Sequence, residues 1–126
     1  MPQRAQQTAQ QEQELLNQEW VLPTSGFHSF SFTLSRDASV HIEMTPVKHA
    51  DKGVTLRIVP PEDFDACIGR SQGRCRSLGS FDGLGVRTLS HTDTIPAGRW
   101  MFFAWNDKNI VYAATIHVRL VVNPSN

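Results

Sequence analysis

Along most of the chain after Trp20, apolar and polar residues alternate with a period of two, which is typical of half-buried β-strands. The pattern is clearest in Phe30–Leu34 and in Val40–Thr45. Further strands are predicted at Val54–Val59, Arg76–Phe81, Val86–His91, Arg99–Asn106 and Ile110–Val122. No long helical pattern separates them, so we predict an all-β fold. It would be an antiparallel β-sandwich of about seven to eight strands, jelly-roll or immunoglobulin-like, with a small closed barrel as the alternative.

Turn residues mark several ends of these strands. Pro60 and Pro61 end the third strand, because proline cannot donate a ladder hydrogen bond. Asp82–Gly83 predicts a hairpin between two of the strands, and Ile95–Gly98 predicts a turn before the aromatic strand.

The first 19 residues have a different character from the rest of the chain. Seven of the first eighteen are glutamine, and the few apolar residues fall near helical spacing. Thr8 followed by Gln11 forms a weak capping box, so we predict a helix over Thr8–Glu19, with a frayed linker as the alternative. The chain then divides into an N-terminal helix or linker, residues 1–19, and a β-sandwich domain, residues 20–126.

The predicted strand Arg99–Asn106 is apolar on both faces. Such a strand is either covered on both sides or exposes an aromatic patch, in which case Trp100, Phe103 and Trp105 would bind a partner protein or a sugar. Because a short helix is marginal alone, we expect residues 8–20 to cover one of these faces, in the same chain or in another copy. The expected contacts are Leu15, Leu16 and Trp20 against Met101, Phe103 and Trp105, or against the face of Trp100 and Phe102.

Length and charge limit the classes of function. A chain of 126 residues fits one domain with a real core, and its twelve Lys and Arg balance twelve Asp and Glu. Without a net charge the chain has no global field to attract nucleic acid or an anionic membrane. The longest uninterrupted apolar run is Trp100–Trp105, far shorter than a membrane span. We therefore expect no nucleic-acid partner and no membrane span.

The two cysteines, Cys67 and Cys75, are separated by seven residues that include two glycines. We expect a disulfide that closes this short loop, with two reduced thiols as the alternative. Since disulfides persist in oxidising compartments, a periplasmic or secreted location would follow. The first residues lack the apolar region of a signal peptide, so we expect any signal or anchor to lie outside this sequence.

Residue types that support catalysis or metal binding are scattered. His41, Glu43 and His117 would form a two-histidine, one-carboxylate metal site if their strands were neighbours in register, and are otherwise solvated side chains. The histidines lack the close spacing of a zinc site, so we expect no bound metal and no cofactor.

Three acids lie close together after the third strand. Glu62, Asp63 and Asp65 could bind calcium together with backbone carbonyls. The alternative is a solvated loop in which they pair with the arginines at positions 70, 74 and 76.

Ile95–Trp100 resembles the Ala-Gly turn and aromatic-led strand of the bacterial pre-peptidase C-terminal domain family, with Trp100 where a tyrosine is usual. Phe30–Leu34 and Val54–Val59 are similar to the first and third strands of that family, and the order of features matches over residues 27–122. The resemblance implies a small extracytoplasmic β-sandwich that is an accessory module and not a catalytic one.

These observations predict a non-enzymatic, extracytoplasmic binding or assembly module. Its partner would be another protein or another copy of the chain. A carbohydrate-binding module that uses exposed Trp100 or Trp105 is one alternative. A small metal-dependent or hydrolytic enzyme built on His41 and His117 is the other.

Overall fold

Two four-stranded antiparallel sheets pack face to face, so the predicted β-sandwich is confirmed. The structure is a computed structural model that describes residues 12–78, 81, 83–109 and 111–123. Its strands are β1 (Gln13–Leu22), β2 (Phe27–Leu34), β3 (Ala38–Lys48), β4 (Val54–Val59), β5 (Gly83–Val86), β6 (Leu89–Ile95), β7 (Gly98–Trp105) and β8 (Ala114–Val122). Sheet A has the strand order β1-β8-β3-β6, and sheet B has the order β2-β7-β4-β5.

The inner core fills the space between the sheets. On β3 and β8, alternate residues are buried while their neighbours are half-buried or exposed, as expected for strands with one face in a core. Trp20 of β1 stacks on Phe102 of β7, with ring centroids 5.5 Å apart, and so joins the two sheets across the core. The largest fully buried side chains include Trp20, Phe81, Phe102, Leu22, Ile42, Met44, Leu56, Ile58, Ile95, Ile116 and Leu120.

The predicted N-terminal helix is wrong for the described residues, because Gln13–Leu22 forms a strand. It pairs with β8 along its length, from Gln13 opposite Val122 to Leu22 opposite Ala114. The glutamines favour a helix only weakly, and pairing with β8 together with burial of Leu16 and Trp20 overrides that preference. The sandwich therefore begins before residue 20, and the part of the predicted helix at residues 8–11 lies outside the described residues.

Between β4 and β5 the chain first forms two short helical turns, and it departs from the prediction only after them. Pro61–Asp63 is a single 3₁₀ turn and Phe64–Cys67 a one-turn helix, α1. Residues 76–78 are not a strand, because the N–H of Arg76 donates to the Asp63 carboxylate and the N–H of Leu78 to the carbonyl of Ile58. Residues 79–80 of the predicted strand and Asp82 of the predicted hairpin lie outside the described residues. Gly83 begins β5, which pairs with β4 and not with residues 76–78.

Other strand boundaries need smaller corrections. The predicted strand Val86–His91 is divided between the end of β5 and the start of β6, and these lie in different sheets. The last strand begins at Ala114, because Val111 and Tyr112 belong to a hydrogen-bonded loop described below, and Ile110, where the prediction begins, lies outside the described residues. The turn at Ile95–Gly98 is confirmed between β6 and β7.

A second apolar cluster covers the outer face of sheet B. Val59, Cys67, Ile68 and Phe103 are buried there, with Phe27, Phe64, Cys75, Met101 and Trp105 packed around them. We call this group the outer cluster. Phe64 of α1 meets Phe103 edge to face at 5.1 Å, and the predicted disulfide Cys67–Cys75 closes the covering segment. The outer face of β7 is thus covered by this disulfide-closed loop. The N-terminal segment packs on the other face, as the second alternative expected, with Trp20 stacked on Phe102.

Candidate binding site

The aromatic residues predicted as a binding patch do not form one exposed surface. Phe103 has no exposed area and lies in the outer cluster. Trp100 packs against the inner core and Trp105 against the outer cluster, so the two rings lie on opposite faces of β7. Each is half-buried, and each indole N–H donates to a backbone carbonyl, Trp100 to Pro96 and Trp105 to Ser25. The prediction that Trp100, Phe103 and Trp105 form one exposed aromatic patch is therefore wrong.

The predicted histidine pair is also kept apart. His117 lies opposite Thr45 on β3, whereas His41 lies opposite Val121, four rows away along the same pair of strands. The two ring nitrogens of His41 already contact Glu43 at 2.9 Å and Thr92 at 2.6 Å. Among the described residues, no group of three or more histidines, cysteines and acids is placed to hold a metal ion.

The three acids after β4 form ion pairs with arginines, which is the alternative to calcium binding that the sequence left open. Asp63 is buried, and its carboxylate accepts hydrogen bonds from the Arg76 N–H and from Nε and NH2 of its guanidinium, at 2.7 to 3.0 Å. The side-chain hydrogen bonds from Arg76 hold the pKa of Asp63 below its usual value. Glu62 also approaches Arg76, and Asp65 lies 3.9 Å from Arg70. Through these contacts the acids stabilise the base of the disulfide-closed loop.

Exposed large apolar side chains gather at one end of the sandwich. Among the described residues these are Val21, Val47, Val111 and Tyr112, exposed by 50 to 64%. Val21 of β1 and Lys48 of β3 are both paired with Thr115 of β8, which places all four near the same strand ends. The ring of His49 stacks on Tyr112 with centroids 4.3 Å apart. We call the five residues Val21, Val47, His49, Val111 and Tyr112 the Tyr112 patch.

Two buried asparagines stabilise the loop between β7 and β8, which carries Val111 and Tyr112. Asn106 donates through Nδ2 to the carbonyls of Leu22, Pro23 and Tyr112. Asn109 accepts the N–H groups of Val111 and Tyr112 through Oδ1. The backbone of Val111 and Tyr112 is thus held by side-chain hydrogen bonds, which lowers the conformational entropy that a partner must remove on binding.

Asn109 also connects this loop to the turn after β3. Its Nδ2 donates to the carbonyl of His49 at 3.3 Å, across sixty positions in sequence. His49 has a φ of 56°, in the left-handed region that costs energy for residues other than glycine. The bond from Asn109 helps to keep His49 in this conformation, which presents its ring to Tyr112.

A cleft of about 410 Å³ opens beside the patch. Its lining is formed by Pro46, Val47, Lys48, His49, Ala50, Asp51 and Arg87. The turn packs closely on β5, since Gly53 has a φ of 87° and a Cβ added there would lie 2.5 Å from the Gly85 carbonyl oxygen. This contact brings Arg87, which directly follows β5, into the lining of the cleft together with Lys48 and His49.

Sequence reasoning did not find this site. Val111 and Tyr112 fall within the predicted strand Ile110–Val122, and His49 lies in a connection where histidine is common. The one local signal is the polar run Asn106–Asn109, whose asparagines suit a fixed turn.

Comparison with known proteins supports the fold. No family model and no curated protein matches the chain. Among solved structures, the chain is similar to the pre-peptidase C-terminal domain of a collagenase from Bacillus anthracis. The TM-score is 0.53 and the identity 8%, over 83% of this chain and 89% of that one. The resemblance inferred from Ile95–Trp100 is thus confirmed as a likeness of fold. Within the described residues, no helix is long and apolar enough to cross a membrane.

Proposed function

We propose that this protein is a non-enzymatic, extracytoplasmic accessory module that binds another protein through the Tyr112 patch. The observation that carries the proposal is the gathering of the exposed large apolar residues of the described chain at one end of the sandwich. Exposed apolar side chains that cluster, in contrast to scattered ones, are typical of interaction surfaces.

Rigidity of the patch supports the same function. Val111 and Tyr112 stand on backbone held by Asn109, and the His49 ring is stacked on Tyr112. Aromatic anchors on a preorganised surface are typical of the residues that contribute most to protein–protein affinity.

Two observations support the accessory role and the compartment. The fold is similar to a domain described as the pre-peptidase C-terminal domain of a collagenase. By analogy, this chain would be an accessory domain that accompanies a catalytic domain. The disulfide Cys67–Cys75 is the kind of bond that persists outside the reducing cytosol.

Site-directed photo-crosslinking tests this proposal. A photoreactive phenylalanine would replace Val111 in the patch or, as the control, Thr33, which is exposed on β2 near the opposite end of the sandwich. Each protein would be illuminated in extracts of the cells that produce it, and crosslinked partners would be identified by mass spectrometry. We expect a saturable partner from position 111 that position 33 does not capture.

Competition makes the experiment decisive. Unlabelled wild-type protein should abolish the crosslink, whereas a Val47→Ser/Tyr112→Ser variant should compete at least about tenfold less well, the cost expected for losing an aromatic anchor. Equal capture from positions 111 and 33, or equal competition by the variant, would show that the patch is not a binding surface.

A further inference from the structure

We infer that the cleft beside the Tyr112 patch receives acidic side chains, so that the module recognises an acidic protein segment that also carries apolar residues. This inference rests on the proposed function and adds the chemistry of the partner.

Four cations lie at the same end of the sandwich as the patch. The chain has three lysines, Lys48, Lys52 and Lys108, and all three lie at this end of the sandwich. Arg87 adds a fourth cation and lines the cleft together with Lys48. The Lys108 side chain lies beside Gly85, and Lys52 belongs to the turn between β3 and β4. A chain with no net charge therefore concentrates positive charge where its apolar side chains are exposed.

These cations are not used for internal ion pairs. Elsewhere Arg76 and Arg119 bind carboxylates at 2.7 Å, whereas neither Arg87 nor any of the three lysines lies within 4.0 Å of a carboxylate among the described residues. Among the described residues, three acids lie near this end: Asp51 in the lining of the cleft, Asp107, which accepts the Thr55 hydroxyl, and the exposed Glu19, two positions before Val21 on β1. Four cations against three acids leave this surface positive and available to an anionic partner.

The same charges argue against a second copy of this chain as the occupant. Two copies that met through this end would bring eight cations together, and like charges in one interface disfavour association. The exposed valines and Tyr112 argue against a purely ionic ligand, because binding one would leave their apolar area in water. A protein segment that combines carboxylates with apolar side chains satisfies both parts of the surface.

The cleft has the size for such a contact. A volume of about 410 Å³ lies at the lower end of the range of ligand pockets and accommodates one or two side chains. Lys48 and Arg87 in its lining would neutralise a carboxylate, and Val47 and His49 would pack against the apolar neighbours of that carboxylate.

Selection from a random twelve-residue peptide library displayed on phage tests the inference. The immobilised targets would be the wild type, the charge-reversal variant Lys48→Glu/Arg87→Glu, the matched control Arg36→Glu/Arg99→Glu, and the patch variant Val47→Ser/Tyr112→Ser. Arg36 and Arg99 are exposed cations at the opposite end of the sandwich, so the control has the same charge change in another place. Heparin and polygalacturonate would be titrated into the same four proteins.

We expect peptides rich in Asp and Glu beside apolar residues. The wild type and the control should enrich them equally, and the charge-reversal variant should bind them at least about tenfold more weakly. Their binding should also weaken as salt is raised.

The other outcomes separate the two proposals. Enriched peptides that depend on the patch, but lack an acidic bias or bind the charge-reversal variant equally well, would overturn this inference and leave the proposed function standing. The absence of any patch-dependent peptide would overturn the proposed function and the inference with it. If, in addition, a polysaccharide binds the wild type and not the charge-reversal variant, the partner is an acidic polysaccharide.

Discussion

The outer faces of the two sheets differ sharply. On sheet B the outer cluster covers the face, with Phe103 buried beneath α1 and the disulfide-closed loop. On sheet A the face carries a row of polar contacts across all four strands. Arg119 binds Glu14 and approaches Glu43, Glu43 binds His41, and His41 binds Thr92.

This difference shows how the pattern of apolar residues along a strand depends on whether its outer face is covered. β7 is apolar on both faces because both are covered, whereas β8 alternates because its outer face meets water and other polar groups. An apolar second face therefore indicates a covering layer as readily as a binding surface. In this protein the exposed apolar side chains lie in loops and at strand ends, where the alternation of strands gives no information.

The largest expected effect tests whether the outer cluster behaves as a core. Phe103→Ala should lower the free energy of unfolding by about 3–5 kcal/mol, the usual cost of truncating a buried phenylalanine. Phe102→Ala, which truncates the neighbouring residue in the inner core, should cost a similar amount. Urea denaturation of both variants measures this.

Val21→Ala serves as the exposed control, because Val21 is 60% exposed and should change stability by less than about 0.5 kcal/mol. A loss for Phe103→Ala as small as that of Val21→Ala would mean that the covering loop does not pack on sheet B.

An intermediate effect tests the bond that closes the cover. Cys67→Ala/Cys75→Ala should cost about 2–3 kcal/mol, because the disulfide spans only eight positions and constrains a short loop of the unfolded chain. Reduction of the wild type should give a similar loss and should leave the variant unchanged. Thiol titration of the denatured, unreduced wild type should detect no free thiol. Two reactive thiols there would contradict the disulfide and remove one support for an extracytoplasmic location.

Elements defined by local signals can be predicted from this sequence, whereas elements defined by contacts between distant residues cannot. Val54–Val59 was predicted to the residue, because a short apolar run ended by two prolines is a local signal. The sequence predicts a helix over Thr8–Glu19, because the pairing with β8 that makes Gln13–Leu22 a strand joins opposite ends of the chain and leaves no local signal. The Tyr112 patch could not be predicted, since it depends on the Asn109–His49 hydrogen bond between residues sixty positions apart.

The smallest effects compare an ion pair from each region, Asp63–Arg76 at the edge of the cover and Glu14–Arg119 on the open face. Arg76 lowers the pKa of Asp63, and Arg119 lowers that of Glu14, in each case mainly through side-chain hydrogen bonds. A carboxylate with a lowered pKa contributes stability above its unfolded-state pKa of about 4, and this is lost as the pH falls through the folded-state value. Asp63→Asn and Glu14→Gln should therefore melt below the wild type at pH 7, and both differences should shrink towards pH 2.

The difference should be larger for Asp63→Asn, because Asp63 is buried and accepts three hydrogen bonds from Arg76, whereas the Glu14 side chain is 40% exposed. Added salt should reduce mainly the Glu14→Gln difference, since screening acts on exposed charges. Melting curves at several pH values would contradict this account if either difference stayed constant from pH 7 to pH 2, or if Glu14→Gln showed the larger one.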